Sequence, residues 1–473
     1  MSRLSQDVSR PSIHVSNVRS VEGRDVFLAD DLLEIRIRGL APSCAFSLKC
    51  RLEDDKKRAF ASEIEYEADE TGAWTSTKDF SHRPMESFEL CRPAEGQRQG
   101  TRLSQSDVMQ PQKAFLSVCI DGRSVASTVC ERYYHDDANV WREPFRNADG
   151  LVGTLFLQRN STPQNQGRSP SGTSATPADK QAVARSRSNL LILDMFGTGG
   201  GLVEYKASLL AARLGCDAVH IGLFNVPGTQ LPSVWQDIDL LYLKRFLQAM
   251  RLRFPDPEKR FVLHGMSMGG QLGIAAASLF PDLVDGLVSV NGSPFLFDPF
   301  RLDGHPLPHY ALQTENAEFG TIGEGPDASN FIITERMFKG VDLDIATRKR
   351  RDTWPMAPVS SIRCPTLIVA SKDDKNWPSL EFAKQVRRIT SADPETSINF
   401  LELQNAGHLM EPRHGPVCTV VYHGVLKMLL QQGGENLVGA AADFELAYEA
   451  TLAFCRNIAT SAQRARKGAK ARL

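Results

Sequence analysis

The chain has 473 residues, too many for one compact module and in keeping with two or three domains. Hydrophobic residues make up 42% and charged residues 23%, the balance of a soluble globular protein. The formal charge of −1 removes whole-molecule electrostatics as a ground for nucleic-acid or membrane-surface binding, and no run of about 18 apolar residues offers a membrane span.

Residues 1–20 carry Arg3, Arg10 and Arg19 against one acid, Asp7. A mitochondrial transit segment has that bias, but a short unstructured leader is the plainer expectation. The first third then alternates with period two. Leu33, Ile35 and Ile37 interleave with Glu34, Arg36 and Arg38, and Phe46, Leu48, Cys50 and Leu52 with Ser47, Lys49, Arg51 and Glu53. Successive strand side chains point to opposite faces, so each segment buries one face and wets the other. Together with Leu116 to Ile120 and Leu151 to Leu157, they predict an all-β, immunoglobulin-like sandwich over residues 1–158. Residues 159–188 are rich in Ser, Thr, Pro, Gln and Gly, and read as a flexible linker or insert.

From Asn189 the pattern changes. Leu190 to Phe196 is a nearly continuous apolar run, as in a strand covered on both faces. A glycine turn, Gly197 to Gly201, follows, and strand and helix patterns then alternate to about residue 460. That rhythm predicts a mostly parallel α/β sheet. Residues 298–355 interrupt it and are expected to form a cap. Residues 461–473 form a basic tail, expected to be disordered, with Arg464, Arg466, Lys467 and Lys470.

The sharpest chemical signal is Gly265-Met266-Ser267-Met268-Gly269. It follows the strand pattern Phe261-Val262-Leu263 and opens a helix pattern, which is the strand–turn–helix setting of a nucleophile elbow and hence of an α/β hydrolase. Ser267 needs a base, and the base an orienting acid. In this architecture the acid follows a late strand and the histidine comes after the next one. Thr366 to Ala370 leads into Asp373-Asp374, and Ile398 to Leu401 leads into Gly407-His408. Asp374 is the expected acid, with Asp373 as its rival and a helix-capping role as the structural alternative. His408 is the expected base. His264 reads as a packed turn residue, and His414 and His423 receive no role. No metal or cofactor is expected, and the nine cysteines, without a CxxC pair, read as reduced thiols.

The segment Leu193-Asp194-Met195-Phe196-Gly197-Thr198-Gly199-Gly200-Gly201-Leu202 resembles the acyl-CoA thioesterase / bile acid-CoA:amino acid N-acyltransferase family, as do the elbow, Asp373-Asp374-Lys375-Asn376-Trp377 and Gly407-His408-Leu409-Met410-Glu411-Pro412. The resemblance implies an acyl-CoA substrate, with Ser267, Asp374 and His408 as the triad. It implies an oxyanion site built from the Met268 amide and an amide of the Asp194–Gly197 turn, taken as that of Phe196. Members that conjugate the acyl group to glycine or taurine carry cysteine at the nucleophile position. An acyl-serine is an ordinary ester, less prone to aminolysis than an acyl-cysteine, so Ser267 favours water as acceptor. Hydrolysis is the expected reaction. Amino-acid conjugation, simple ester or lactone hydrolysis, and a non-catalytic binding role on the same fold are the alternatives.

Two local features add expectations. Arg348, Arg350 and Arg351 fall in a basic run that reads first as a solvated face and second as a partner for CoA phosphates. Ala471-Arg472-Leu473 resembles a variant peroxisomal address, which implies an import receptor as partner and the peroxisome as location, with the cytosol as the alternative and the mitochondrion a lesser one.

Overall fold

The computed structural model describes residues 10–17, 27–159, 188–323, 328–338, 356–391 and 397–470, with backbone alone over 461–470. Arg348, Arg350 and Arg351, the import-like tripeptide Ala471-Arg472-Leu473 and almost all of the polar insert lie outside these residues.

The period-two segments form two sheets. Ser12–Asn17, Leu33–Arg38 and Trp74–Thr75 make a three-stranded sheet. Phe27–Leu28, Arg123–Tyr133, Gln112–Ile120, Ala45–Glu53, Ala59–Glu67 and Arg92–Pro93, in that spatial order, make a six-stranded one. The alternation decides which residues meet. Leu33, Ile35 and Ile37 from one sheet share a core with Leu48, Cys50, Leu52, Leu116 and Val118 from the other. Their intervening neighbours Glu34, Arg36 and Arg38 stay outside that core.

The second sheet has eight strands. In chain order they are β1 (Val140–Arg146), β2 (Val152–Gln158), β3 (Leu190–Met195), β4 (Asp217–Ile221), β5 (Arg260–Met266), β6 (Gly286–Val290), β7 (Thr366–Ser371) and β8 (Ile398–Leu403). In space they run β1-β2-β4-β3-β5-β6-β7-β8, antiparallel through β2 and parallel from β4 onward. This is the α/β hydrolase sheet. Its helices are α1 (Tyr205–Leu214), α2 (Leu240–Arg253), α3 (Met268–Leu279), α4 (Ser379–Thr390) and α5 (Leu437–Lys470). Alternate residues of β3 separate the two layers. Leu190 and Ile192 pack with α1 and α5, while Leu191, Leu193 and Met195 pack with α2 and α3. Because both faces are covered, β3 to β7 are buried almost without interruption.

Three sequence expectations are corrected. The sandwich does not extend to residue 158. β2 pairs with β4, Gly153 opposite Ile221 and Phe156 opposite Ala218, so residues 140–158 open the hydrolase sheet. The burial agrees: Val152 to Phe156 are all buried, as in a strand covered on both faces rather than half-wet. The polar stretch at 159–188 therefore falls between β2 and β3, inside the hydrolase domain and not between domains. The span 298–355, expected to form a cap, shares a sheet with strands that come later in the chain. Glu318–Ile322 and Ser329–Ile333 are completed into a four-stranded sheet by Met428–Gln431 and Val420–His423, which follow β8. The basic tail expected to be disordered continues α5 as helical backbone through Lys470, in keeping with its Ala, Arg, Gln and Lys content.

The two domains meet through charge. Arg102 of the sandwich bonds Glu411 and the Tyr205 hydroxyl, and Tyr205 donates to Glu411 at 2.9 Å. Arg213 on α1 pairs with Asp30 and Asp31, and the buried Arg132 donates to the His414 carbonyl at 2.9 Å.

Candidate active site

The elbow is built by exclusion of side chains. Ser267 sits between β5 and α3 with φ +59° and ψ −127°, a left-handed conformation that costs a serine about 1–3 kcal/mol. A Cβ on Gly265 would come within 2.2 Å of the Gly269 carbonyl oxygen, and one on Gly269 within 2.4 Å of that of Met195. The two glycines of the motif are thus fixed by the close passage of β3 and α3, as the motif requires. Gly197 approaches from the other side, where an added Cβ would stand 3.2 Å from Ser267 Oγ. The Met195–Gly197 turn is therefore packed directly on Ser267. Phe196 lies in it, its ring faced by Arg102 and Lys206, and Met268 is the first residue of α3.

The acid and the base arrive from the ends of β7 and β8. His408 Nε2 lies 2.7 Å from Ser267 Oγ, and His408 Nδ1 lies 2.7 Å from Asp374 Oδ2. The carboxylate can only accept, so Nδ1 carries the proton and Nε2 is left to accept from the serine hydroxyl. All three side chains are buried. Asp374 Oδ1 also accepts the backbone N–H groups of Asn376 and Trp377 at 2.8 and 2.9 Å, and the Ser379 hydroxyl bonds Oδ2. Asp374 does not cap the helix that follows, which begins at Ser379 with Pro378 as its N-cap; its amide partners lie in the loop before that helix. Its rival Asp373 points away, accepting from the Gly434 N–H at 2.8 Å and pairing with Lys375 at 2.8 Å.

Several supports carried no recognisable sequence signal. Asn291, at the end of β6, donates to the carbonyls of Gly407 and His408 at 3.0 and 2.9 Å and accepts from the Ser371 N–H at 2.8 Å. One side chain thus ties the histidine loop to the acid strand. The His408 N–H donates to the Gln432 carbonyl at 2.7 Å, and that carbonyl would lie 2.5 Å from a Cβ on Gly407, which explains the small residue before the histidine. The Trp377 ring stands 5.4 Å from the imidazole and joins a buried cluster of Phe295, Phe297, Phe338 and Phe382.

Beneath the elbow, Asp194 on β3 lies in register with His220 on β4 and His264 on β5. Each imidazole donates from Nδ1 to one carboxylate oxygen at 2.7 Å. Burial alone would raise the Asp194 pKa, but the two histidines hold it well below the usual carboxylate range. His264 is a strand residue in this ladder, not a turn residue. His423, left without a role by the sequence, bonds Thr198 of the glycine turn beside the nucleophile.

None of the nine cysteines is bridged, and seven are buried. No helix among the described residues is long and apolar enough to cross a membrane.

Comparison with known proteins agrees with both halves of the chain. Residues 30–144 match the acyl-CoA thioester hydrolase/BAAT N-terminal region, and residues 240–460 match the BAAT / acyl-CoA thioester hydrolase C-terminal region. Acyl-coenzyme A thioesterase 1 of Homo sapiens is 27% identical over 442 residues, covering 88% of this chain and 91% of that protein. The mitochondrial acyl-coenzyme A thioesterase 2 is 27% identical in Homo sapiens over 88% of this chain and 79% of the relative, and 28% identical in Mus musculus over 90% and 85%. With matched regions in both domains and the hydrolase sheet carrying the elbow, the chain belongs to the acyl-CoA thioester hydrolase/BAAT family.

Proposed function

We propose that this enzyme hydrolyses fatty acyl-CoA to free fatty acid and CoA through an acyl-serine intermediate. The observation that carries the reading is the continuous chain of two 2.7 Å contacts from Ser267 through His408 to Asp374. Ser267 Oγ attacks the thioester carbonyl carbon while its proton passes to His408 Nε2. Asp374 holds the imidazole in the required tautomer and stabilises the imidazolium. The Met268 N–H, at the start of α3, and the Phe196 amide receive the developing oxyanion. The C–S bond then breaks and His408 returns the proton to the departing CoA sulfur. Water attacks the acyl-serine, gives its proton to His408, and the C–Oγ bond breaks to release the acid and restore the Ser267 hydroxyl.

Water is preferred over an amine as acceptor because the intermediate is an oxygen ester. The test incubates one acyl-CoA with enzyme, glycine and taurine, and measures free acid against N-acyl amino acid. Free acid should dominate; predominance of the conjugate would overturn the reading. A panel of acyl-CoAs of graded length, followed by thiol release, then sets the chain preference.

Two finer points belong to the same proposal. Arg348, Arg350 and Arg351 pair with CoA phosphates, so charge reversal at Arg350 and Arg351 should raise KM for acyl-CoA, and an unchanged KM would dispose of the pairing. Delivery is peroxisomal through Ala471-Arg472-Leu473. A fusion tagged at its N-terminus should be punctate and should lose that pattern without Leu473; a diffuse signal from the intact sequence would refute it.

A further inference from the structure

A second polar pair stands next in sequence to Gly197, which packs on Ser267, and its proton positions follow from its partners. His423, at the end of the cap strand Val420–His423, has both ring nitrogens engaged. Nδ1 lies 3.1 Å from the Leu426 backbone nitrogen, and Nε2 lies 2.8 Å from Thr198 Oγ1. A backbone N–H can only donate, so Nδ1 must be the bare, accepting nitrogen. The ring proton therefore sits on Nε2 and is donated to Thr198 Oγ1. A second ring proton would meet the Leu426 N–H head-on. Burial, and after it the neighbouring His408, push the His423 pKa below the ordinary histidine value, in the same direction. Once Thr198 Oγ1 accepts from His423, its own hydrogen must point elsewhere. Thr198 follows Gly197, where an added Cβ would lie 3.1 Å from Ser267 Cβ and 3.2 Å from its Oγ. The Trp235 ring packs edge to face against that of His423, with centroids 6.3 Å apart.

We propose that the Thr198 hydroxyl is a side-chain donor to the scissile carbonyl oxygen, acting beside the backbone amides, and that His423 is the positioning residue that sets the direction of its hydrogen. Such a donor strengthens as the oxygen gains charge, so it acts on the chemical step rather than on binding. The substrate's identity as a thioester rests on the function proposed above; the donor itself does not, because any acyl or phosphonyl group on Ser267 places an oxygen there.

The test uses the full chain and two readouts, acyl-CoA turnover and the rate at which a small fluorophosphonate labels Ser267. Thr198→Val should lower kcat by roughly 10- to 100-fold with KM changed less than about twofold, and should slow labelling in parallel. Thr198→Ser should restore both. His423→Leu should reproduce most of the loss, and His423→Gln, whose amide can still donate near the Nε2 position, should recover part of it. Unchanged kcat and labelling in Thr198→Val, or a loss confined to KM, would overturn the proposal, with thermal melts confirming that each variant is folded. If the wild type labels but hydrolyses no acyl-CoA, slowed labelling in Thr198→Val still supports the donor while the thioesterase reading fails. If the wild type hydrolyses acyl-CoA and Thr198→Val matches it in both assays, the donor fails alone.

Discussion

Two buried aspartates in the hydrolase domain, Asp194 on a strand and Asp374 just beyond one, hold histidines at the same 2.7 Å in different settings. Asp194 is clasped from both sides by His220 and His264, and the far nitrogen of His220 is occupied by the Val203 N–H at 3.0 Å. Asp374 holds one histidine, whose far nitrogen faces the serine on the strained elbow. An Asp–His bond does not by itself make a base. What the second nitrogen faces decides it: a backbone amide satisfies the ring and closes it, whereas a hydroxyl gives it a proton to take. The ladder beneath ties β4, β3 and β5 together, and the pair above has the arrangement that the proposed mechanism requires.

The comparison can be broken by removing each group in turn. Ser267→Ala should give the largest effect, a fall in kcat of about 10⁵- to 10⁶-fold with the melting temperature little changed; substantial residual turnover would remove the serine from the mechanism. Asp374→Asn should follow at about 10⁴-fold, because the amide favours the wrong tautomer of His408. Steady-state kinetics on a variant whose circular dichroism matches the wild type would check it, and a loss below about tenfold would remove Asp374 from the orienting role. Asp194→Asn should act on the other axis. It leaves two buried imidazole N–H groups without their carboxylate acceptor and should cost about 3 kcal/mol of stability, read by denaturant titration, while kcat of the folded fraction falls far less than in Asp374→Asn. A kinetic collapse without destabilisation would erase the distinction between the two aspartates.

The smallest effect is in the pH dependence. Asp194 has a folded-state pKa held below its unfolded value of about 4, so the stability it contributes is complete above that value and is lost as the pH falls toward the folded one. The wild type should weaken below about pH 4, and Asp194→Asn should show a flatter profile over the same acid range. Equal slopes in the two proteins would show that the ladder carries no such charge.

How much of this was legible depends on the range over which each signal acts. The elbow was legible because its constraints are local: Gly265 and Gly269 are small for reasons lying within four residues or on the adjoining strand. Asp374 and His408 were found through their positions after β7 and β8, since strand ends are where an α/β sheet presents its functional groups. The sandwich core was legible at Leu33, Ile35 and Ile37, where one face is wet. It was misjudged at Val152–Phe156, because an apolar run does not name the sheet it joins. Asn291 and Thr198 had no local signal, since their partners come from elements far away in the chain.

Periodicity and short-range spacing were enough for the hydrolase class and the Gly265–Gly269 elbow, and strand-end order together with the family resemblance singled out Ser267, Asp374 and His408, which the fold brings into contact. Only the tertiary structure decided that β1 and β2 belong to the hydrolase sheet, that the strand bearing His423 closes the cap, and that Asp194 rather than Asp374 is doubly clasped. Those are questions of which strand lies beside which. Register across a sheet is set by the burial of whole faces, which no single stretch of chain contains.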